Sequence, residues 1–202
     1  MTKKSYNAEQ LQDLVLQMME TELGGEQVYL AALQCAQNAD LKKEWQGYLE
    51  ETRMHQRTVR TLCEALGMDA SAQTPSRKVV KHLGDSLVQA MQLALKSGTP
   101  TAAELTACEC VVLAETKDHA NWELLGQVAQ AASGATAKAL QDAYDKVQQD
   151  EQHHLYHTMG WCRELWIQSL GMPAVLPPPE EIKQVETAIG ASRAEQQRTT
   201  LL

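Results

Sequence analysis

At 202 residues the chain can bury one sizeable core, so a single domain with an appendage is expected. Lysine and arginine number 18 against 26 aspartates and glutamates, a formal net charge of −8, and no basic run is present to neutralise a series of phosphates. Nucleic acid and anionic membrane are therefore not expected as partners. No stretch approaches the roughly 18 apolar residues of a membrane span, and the opening "MTKKSYNAEQ" leads into no apolar segment, so a soluble, cytoplasmic protein is expected.

Ala, Leu, Gln, Glu and Lys dominate long segments, with none of the alternating β-branched runs that a sheet needs, so an all-α fold is expected. Breaks at "QNADL", "LGMDASAQTPS", "KSGTPT", "AASGAT" and "GMPAVLPPPE" predict helices over about 8–37, 39–67, 76–97, 101–132 and 135–171, and a weaker one over 180–197. Asn7 is placed to cap the first helix, and "TAAE" (Thr101 to Glu104) reads as a capping box for the fourth. Tight joints make antiparallel hairpins of helices 1 and 2 and of helices 4 and 5, and residues 68–100 cross between the pairs. The expected architecture is an antiparallel four-helix bundle over 1–172, with the helix over 76–97 across its outside. A proline-stiffened linker and tail helix follow over 173–202, with Ile182, Val185 and Ile189 on one side. The five cysteines match no zinc or redox spacing and are expected to be reduced and mostly buried.

Steps of three and four give each long helix a core stripe. Helix 1 runs Leu11, Val15, Met18, Glu22, Gly25, Tyr29, Ala32. Helix 2 runs Leu41, Trp45, Tyr48, Thr52, His55, Val59, Leu62, with Glu51 on its shoulder. Helix 4 runs Leu105, Cys108, Val112, Glu115, His119, Trp122, Ala129, and helix 5 runs Leu140, Tyr144, Val147, Glu151, His154, Thr158, Trp161, Leu165. Polar groups thus interrupt otherwise apolar faces. Taken singly, His119, His153 and His157 are ordinary core-edge or surface histidines.

Height along the hairpins brings these interruptions together. Glu22 stands 16 residues before Asn38, with Glu51 and His55 13 and 17 after it; Glu115 stands 19 before Gly134, with Glu151 and His154 17 and 20 after. At about 1.5 Å per residue all four helices deliver acids or imidazoles to one level, roughly 20 to 30 Å from the joints. A single buried carboxylate costs on the order of several kcal/mol, so such a set calls for a compensating cation. Carboxylate oxygen with imidazole nitrogen and no thiolate suits iron or manganese, with zinc as a substitute.

With "ELGGEQVYL" in helix 1, "LAETKDHANW" in helix 4 and "DEQHH" in helix 5, the chain resembles the ferritin-like di-iron carboxylate superfamily, which includes bacterioferritins and rubrerythrins. The resemblance covers about residues 8–171. It implies two iron ions held by Glu22, Glu51, His55, Glu115, Glu151 and His154, with Glu51 and Glu151 bridging, and an oxidoreductase of the ferroxidase or peroxidase type acting on ferrous iron, peroxide or dioxygen in stress protection. The chain departs from the pattern in "LEETRMH", where Thr52 stands at the glutamate position three before His55 and Glu51 lies four before it. The site is then asymmetric, borrows His119 or Glu26, or holds a single metal. The alternative to a catalyst is a non-catalytic metal-binding or structural module with a degenerate site. A homodimer is expected from the acidic surface, the tail and the four tryptophans.

Overall fold

A computed structural model describes residues 6–202; the first five residues of the lysine-bearing N-terminus lie outside the described residues. Among the described residues there are seven α-helices, one 3-10 turn and no strand. The five long helices are α1 (Ala8–Cys35), α2 (Ala39–Ala65), α3 (Pro75–Ser97), α4 (Pro100–Ala131) and α5 (Gly134–Ser169). The tail carries α6 (Pro179–Ile182), α7 (Ala188–Gln196) and the 3-10 turn Arg198–Thr200. No helix among the described residues is long and apolar enough to cross a membrane.

Capping chemistry explains why the helices start where they do. Asn7 Oδ1 accepts from the Glu9 and Gln10 amides at 2.9 and 3.1 Å, and Asn38 does the same for Asp40 and Leu41 at 3.0 and 3.1 Å. Thr74 and Thr99 cap α3 and α4, each followed by a proline in the first turn, where no amide hydrogen is needed. The expected Thr101 to Glu104 capping box is therefore not used. Glu104 instead turns back to the α1–α2 joint and accepts from the Gln37 and Asn38 amides at 2.7 and 2.6 Å. Gly134, at φ +66°, supplies the left-handed backbone that lets α4 reverse into α5 within two residues.

The long helices form a bundle. α1 packs on α2 and α4, α4 on α5, and α5 on α2, so these four close a ring; α3 lies on α1 and α4. Gly24 and Gly84 let α1 and α3 cross closely, since a Cβ built on Gly24 would stand 3.9 Å from the Gly84 backbone. The core divides into two apolar layers. One contains Tyr29, Leu41, Trp45, Cys108, Val111, Trp161 and Leu165. The other contains Val15, Met18, Val59, Leu62, Trp122, Leu125, Leu140 and Val147. Each large aliphatic side chain buried in them contributes about 1.5–3 kcal/mol. Between the layers, on every helix of the ring, the buried residue is polar: Glu22, His55, Glu115, and Glu151 with His154. Four of the five cysteines are free and buried, and Cys162 is partly so.

The tail docks differently from expectation. Ile182 and Ile189 are 51% and 66% exposed, and only Val185 of the expected stripe is buried. Gln184 adopts φ +49° and ends the first helical turn, so one helix over 180–197 becomes two short ones. Polar anchors hold the segment. Buried Glu164 on α5 accepts from Arg198 Nε at 2.7 Å, the Val175 amide at 2.8 Å and Arg163 Nε at 3.1 Å. Arg163 also grips buried Glu180 through two hydrogen bonds of 2.8 Å. Gly160 makes the room, because a Cβ there would lie 2.5 Å from Glu180 Oε2.

Candidate metal centre

The polar level between the two apolar layers gathers five of the six side chains singled out from sequence. Ligand-type atoms of Glu22, His55 and Glu151 lie within 4.8 Å of one another, and so do those of Glu115, Glu151 and His154. Glu151 belongs to both sets. Its Oε1 is 3.1 Å from His55 Nδ1 and 3.9 Å from His154 Nδ1. Glu22 Oε2 approaches His55 Nδ1 at 3.7 Å and Glu115 Oε2 approaches His154 Nδ1 at 3.4 Å. All five residues are at most 4% exposed.

The periphery of this group fixes its orientation. Tyr29 donates its hydroxyl hydrogen to Glu115 Oε1 at 2.8 Å, and Trp122 Nε1 donates to Glu22 Oε1 at 3.0 Å. Each imidazole turns Nδ1 inward and Nε2 outward to a carboxylate: His55 to Asp150 Oδ2 at 3.1 Å, His154 to Glu51 Oε2 at 2.8 Å. An outer carboxylate that takes the Nε2 hydrogen leaves the Nδ1 lone pair facing the cluster and makes it a stronger donor. The Tyr48 ring packs on His154 with centroids 4.2 Å apart and helps hold the ring plane.

Glu51 is thus outside the inner cluster. Its side chain is 42% exposed, and it supports His154 from behind. Thr52 supplies nothing inward either: it is 3% exposed, and its hydroxyl donates to the Tyr48 carbonyl of its own helix at 2.8 Å. His119 stands apart, its ring edge-on to Tyr156 at 5.9 Å and its Nε2 4.0 Å from Glu123. Glu26 pairs with Arg53 and Gln56 at 3.0 and 2.8 Å. The group that sequence reasoning missed is Asp118, buried on α4 one turn from Glu115, whose charge acts on Glu22 and which is itself acted on by Glu151 and Glu115. The signal was present in the spacing: Val111, Glu115, Asp118, Trp122 and Leu125 are all buried and follow the helical repeat, whereas Val112 and His119 lie a step to one side.

Electrostatically the cluster is overloaded with negative charge. Burial, then the charges of Asp118 and Glu151, push the Glu22 carboxyl well above its ordinary range. Asp118 is raised well above its range by burial and by Glu151 and Glu115; Glu151 is raised by burial despite its contact with His55. Burial opposes charging of His154, yet its contact with Glu115 outweighs that and raises it well above the ordinary imidazole value; His55 is raised through Asp150 and Glu151 against the same opposition. The neighbouring acids thus favour positive charge on both imidazoles. Even so, among the described residues Glu22 Oε2, Glu115 Oε2, Glu151 Oε2 and Asp118 Oδ1 are buried without a hydrogen-bond partner. Orphaned acceptors of this kind are costly unless a cation engages them, and these buried Glu and His groups could hold a metal ion.

Comparison of the chain with protein-family models, with curated proteins and with solved structures gave no match.

Proposed function

We propose that the ring of α1, α2, α5 and α4 is a ferritin-like four-helix bundle and that its polar level holds two iron ions, with manganese or zinc as substitutes. The observation that carries this reading is the sharing of Glu151 between two groups of converging ligand atoms, one completed by Glu22 and His55 and the other by Glu115 and His154. Asp118 supports it as a further buried acid, one turn from Glu115, with Oδ1 unpartnered and a charge that acts on Glu22. Four negative charges, from Glu22, Glu115, Asp118 and Glu151, match two divalent cations. Their donor set of hard oxygens with two imidazoles is one that first-row metals accept.

Bound there, an iron pair supplies one-electron redox chemistry toward peroxide or dioxygen. The chain's own residues prepare for it. Tyr29 and Trp122 hold Glu115 and Glu22 by one oxygen each, leaving the other oxygen inward. Asp150 and Glu51 hold the two imidazoles and accept their outer protons. The apolar layers above and below exclude bulk water. A cleft of about 470 Å³, bordered by Tyr48 and Glu51, brings solvent to within one side chain of His154. The proposed activity is oxidation of ferrous iron, or reduction of peroxide or dioxygen, in stress protection. Loading the metal-free protein anaerobically with ferrous iron and adding hydrogen peroxide tests it; oxidation of about two irons per chain with peroxide consumption is expected, and iron that stays ferrous overturns it.

One observation favours a second reading, a metal-binding module without turnover. Thr52 leaves α2 contributing His55 alone to the inner cluster, so the two halves differ. Metal that binds with the expected stoichiometry while peroxide is not consumed selects this reading.

A further inference from the structure

A second group of ligand-type side chains lies where the tail meets the bundle. α2 supplies Glu44, α5 His157 and α6 Glu181, with ligand atoms all within 4.8 Å of one another. His157 Nδ1 stands 2.6 Å from Glu181 Oε2 and 3.8 Å from Glu44 Oε1. The opposite nitrogen, Nε2, is 2.8 Å from the Val185 carbonyl oxygen, which can only accept, so Nε2 carries a hydrogen. A neutral ring with its hydrogen there points the Nδ1 lone pair at a carboxylate oxygen in contact with it. Something positive must satisfy both, either a second ring proton between them or a metal ion bound beside them on the side of Glu44.

The surroundings fit the ion. Glu44 is held at both oxygens, Tyr48 donating to Oε1 at 2.5 Å and Trp161 Nε1 to Oε2 at 2.7 Å, and each oxygen keeps a lone pair. Val185 fixes the imidazole as an outer hydrogen-bond partner fixes a metal-bound histidine. Two carboxylates balance one divalent cation, whereas an imidazolium leaves one negative charge unmatched. The ring is 2% exposed, but Glu44 and Glu181 border the 470 Å³ cleft, so a hydrated ion reaches them from solvent.

We propose that Glu44, His157 and Glu181 form a second binding site, for a first-row divalent cation, that clamps the tail to the bundle. Two carboxylates with one imidazole suit manganese, iron, cobalt or zinc. The site uses none of the inner cluster's ligands. Its effect is mechanical: binding adds α2 to a segment that α5 already anchors through Glu164, Arg163 on Glu180, and His157.

Cobalt(II) is the probe, added to the full chain stripped of metal, and tryptic cleavage after exposed Lys183 is the readout. Cobalt at tenfold excess over its Kd should slow that cleavage roughly tenfold, because only the docked tail binds it. Glu151→Ala should keep this protection, while Glu44→Gln and Glu181→Gln, which preserve side-chain size, should lose it with their metal-free cleavage rates within about twofold of the parent. Cleavage in the parent that ignores cobalt, or protection that survives both glutamine variants, means that a ring proton alone joins these groups and overturns the site. Protection lost in Glu151→Ala assigns the effect to the inner cluster and overturns it as well. Absence of iron chemistry at the inner cluster, with tail protection intact, would remove the proposed function and leave this site standing.

Discussion

His154 Nε2 and Glu51 Oε2 lie 2.8 Å apart, which puts the α2 carboxylate on the outer side of the imidazole and leaves the inner side to Glu115 and Glu151. Glu51 therefore orients His154 from outside the buried cluster. Glu51→Ala is expected to weaken metal binding by about 10- to 100-fold, the range for loss of an outer partner, without changing stoichiometry. Glu115→Ala, which removes a donor atom, should reduce the stoichiometry itself. Equilibrium titration with manganous ion separates the two effects.

Asp118 is raised well above the ordinary carboxylate range by its burial and its acidic neighbours, so in the metal-free protein it costs stability whenever it is ionised. Asp118→Asn keeps the shape and removes the charge. The metal-free variant should melt at or above the parent's temperature at pH 7, and its metal affinity should fall at least tenfold. Paired melting curves with and without manganese read both quantities. A variant that loses stability and keeps full affinity would place Asp118 among structural residues.

The tail anchor responds to acid. Burial alone would raise the Glu164 carboxyl, but hydrogen bonds from Arg198, the Val175 amide and Arg163 outweigh it and lower it below the ordinary 4.5. A carboxyl lowered on folding contributes stability that is complete above its unfolded value and disappears as pH falls through the lower folded value. The contribution of Glu164 to tail docking is thus expected to be complete above about pH 4.5 and to be lost as pH falls further. Glu164→Ala should undock the tail at neutral pH, at a cost on the order of 3 kcal/mol, since Arg198 and the Val175 amide lose their acceptor. Amide exchange over 173–200 reports both.

The helices were legible in the sequence because their ends are marked by local chemistry: Asn7, Asn38, Pro75, Pro100 and Gly134 act within a turn of where they stand. Five cluster residues were legible as well, since a carboxylate or imidazole on an apolar stripe stands out and the hairpins equalise height. Asp118 was lost to phase. Its neighbour His119 fits steps of four from Glu115 equally well, and only the burial of Trp122 and Leu125 in step with Asp118 decides between them. Contacts that depend on another helix left no local mark. Nothing near Asp150 shows that it faces His55, 95 positions away, and nothing in "TAAE" shows that Glu104 serves the α1–α2 joint. The tail misled because Ile182, Val185 and Ile189 share a helical stripe only if the helix is continuous, and Gln184 interrupts it.

Metal-dependent stabilisation, compared between the parent and Glu151→Ala under anaerobic conditions, bears most directly on the inner cluster. Glu151 is common to both groups of converging atoms, so its loss should disable both. Ferrous ion at a hundredfold excess over its Kd should stabilise the parent by about 2.7 kcal/mol for each site filled, seen as a rise in melting temperature. Glu151→Ala should keep only the part of that rise that Glu181→Gln abolishes. A rise of equal size in the parent and in Glu151→Ala, or no rise in either, would contradict a metal centre at Glu22, His55, Glu115, Glu151 and His154.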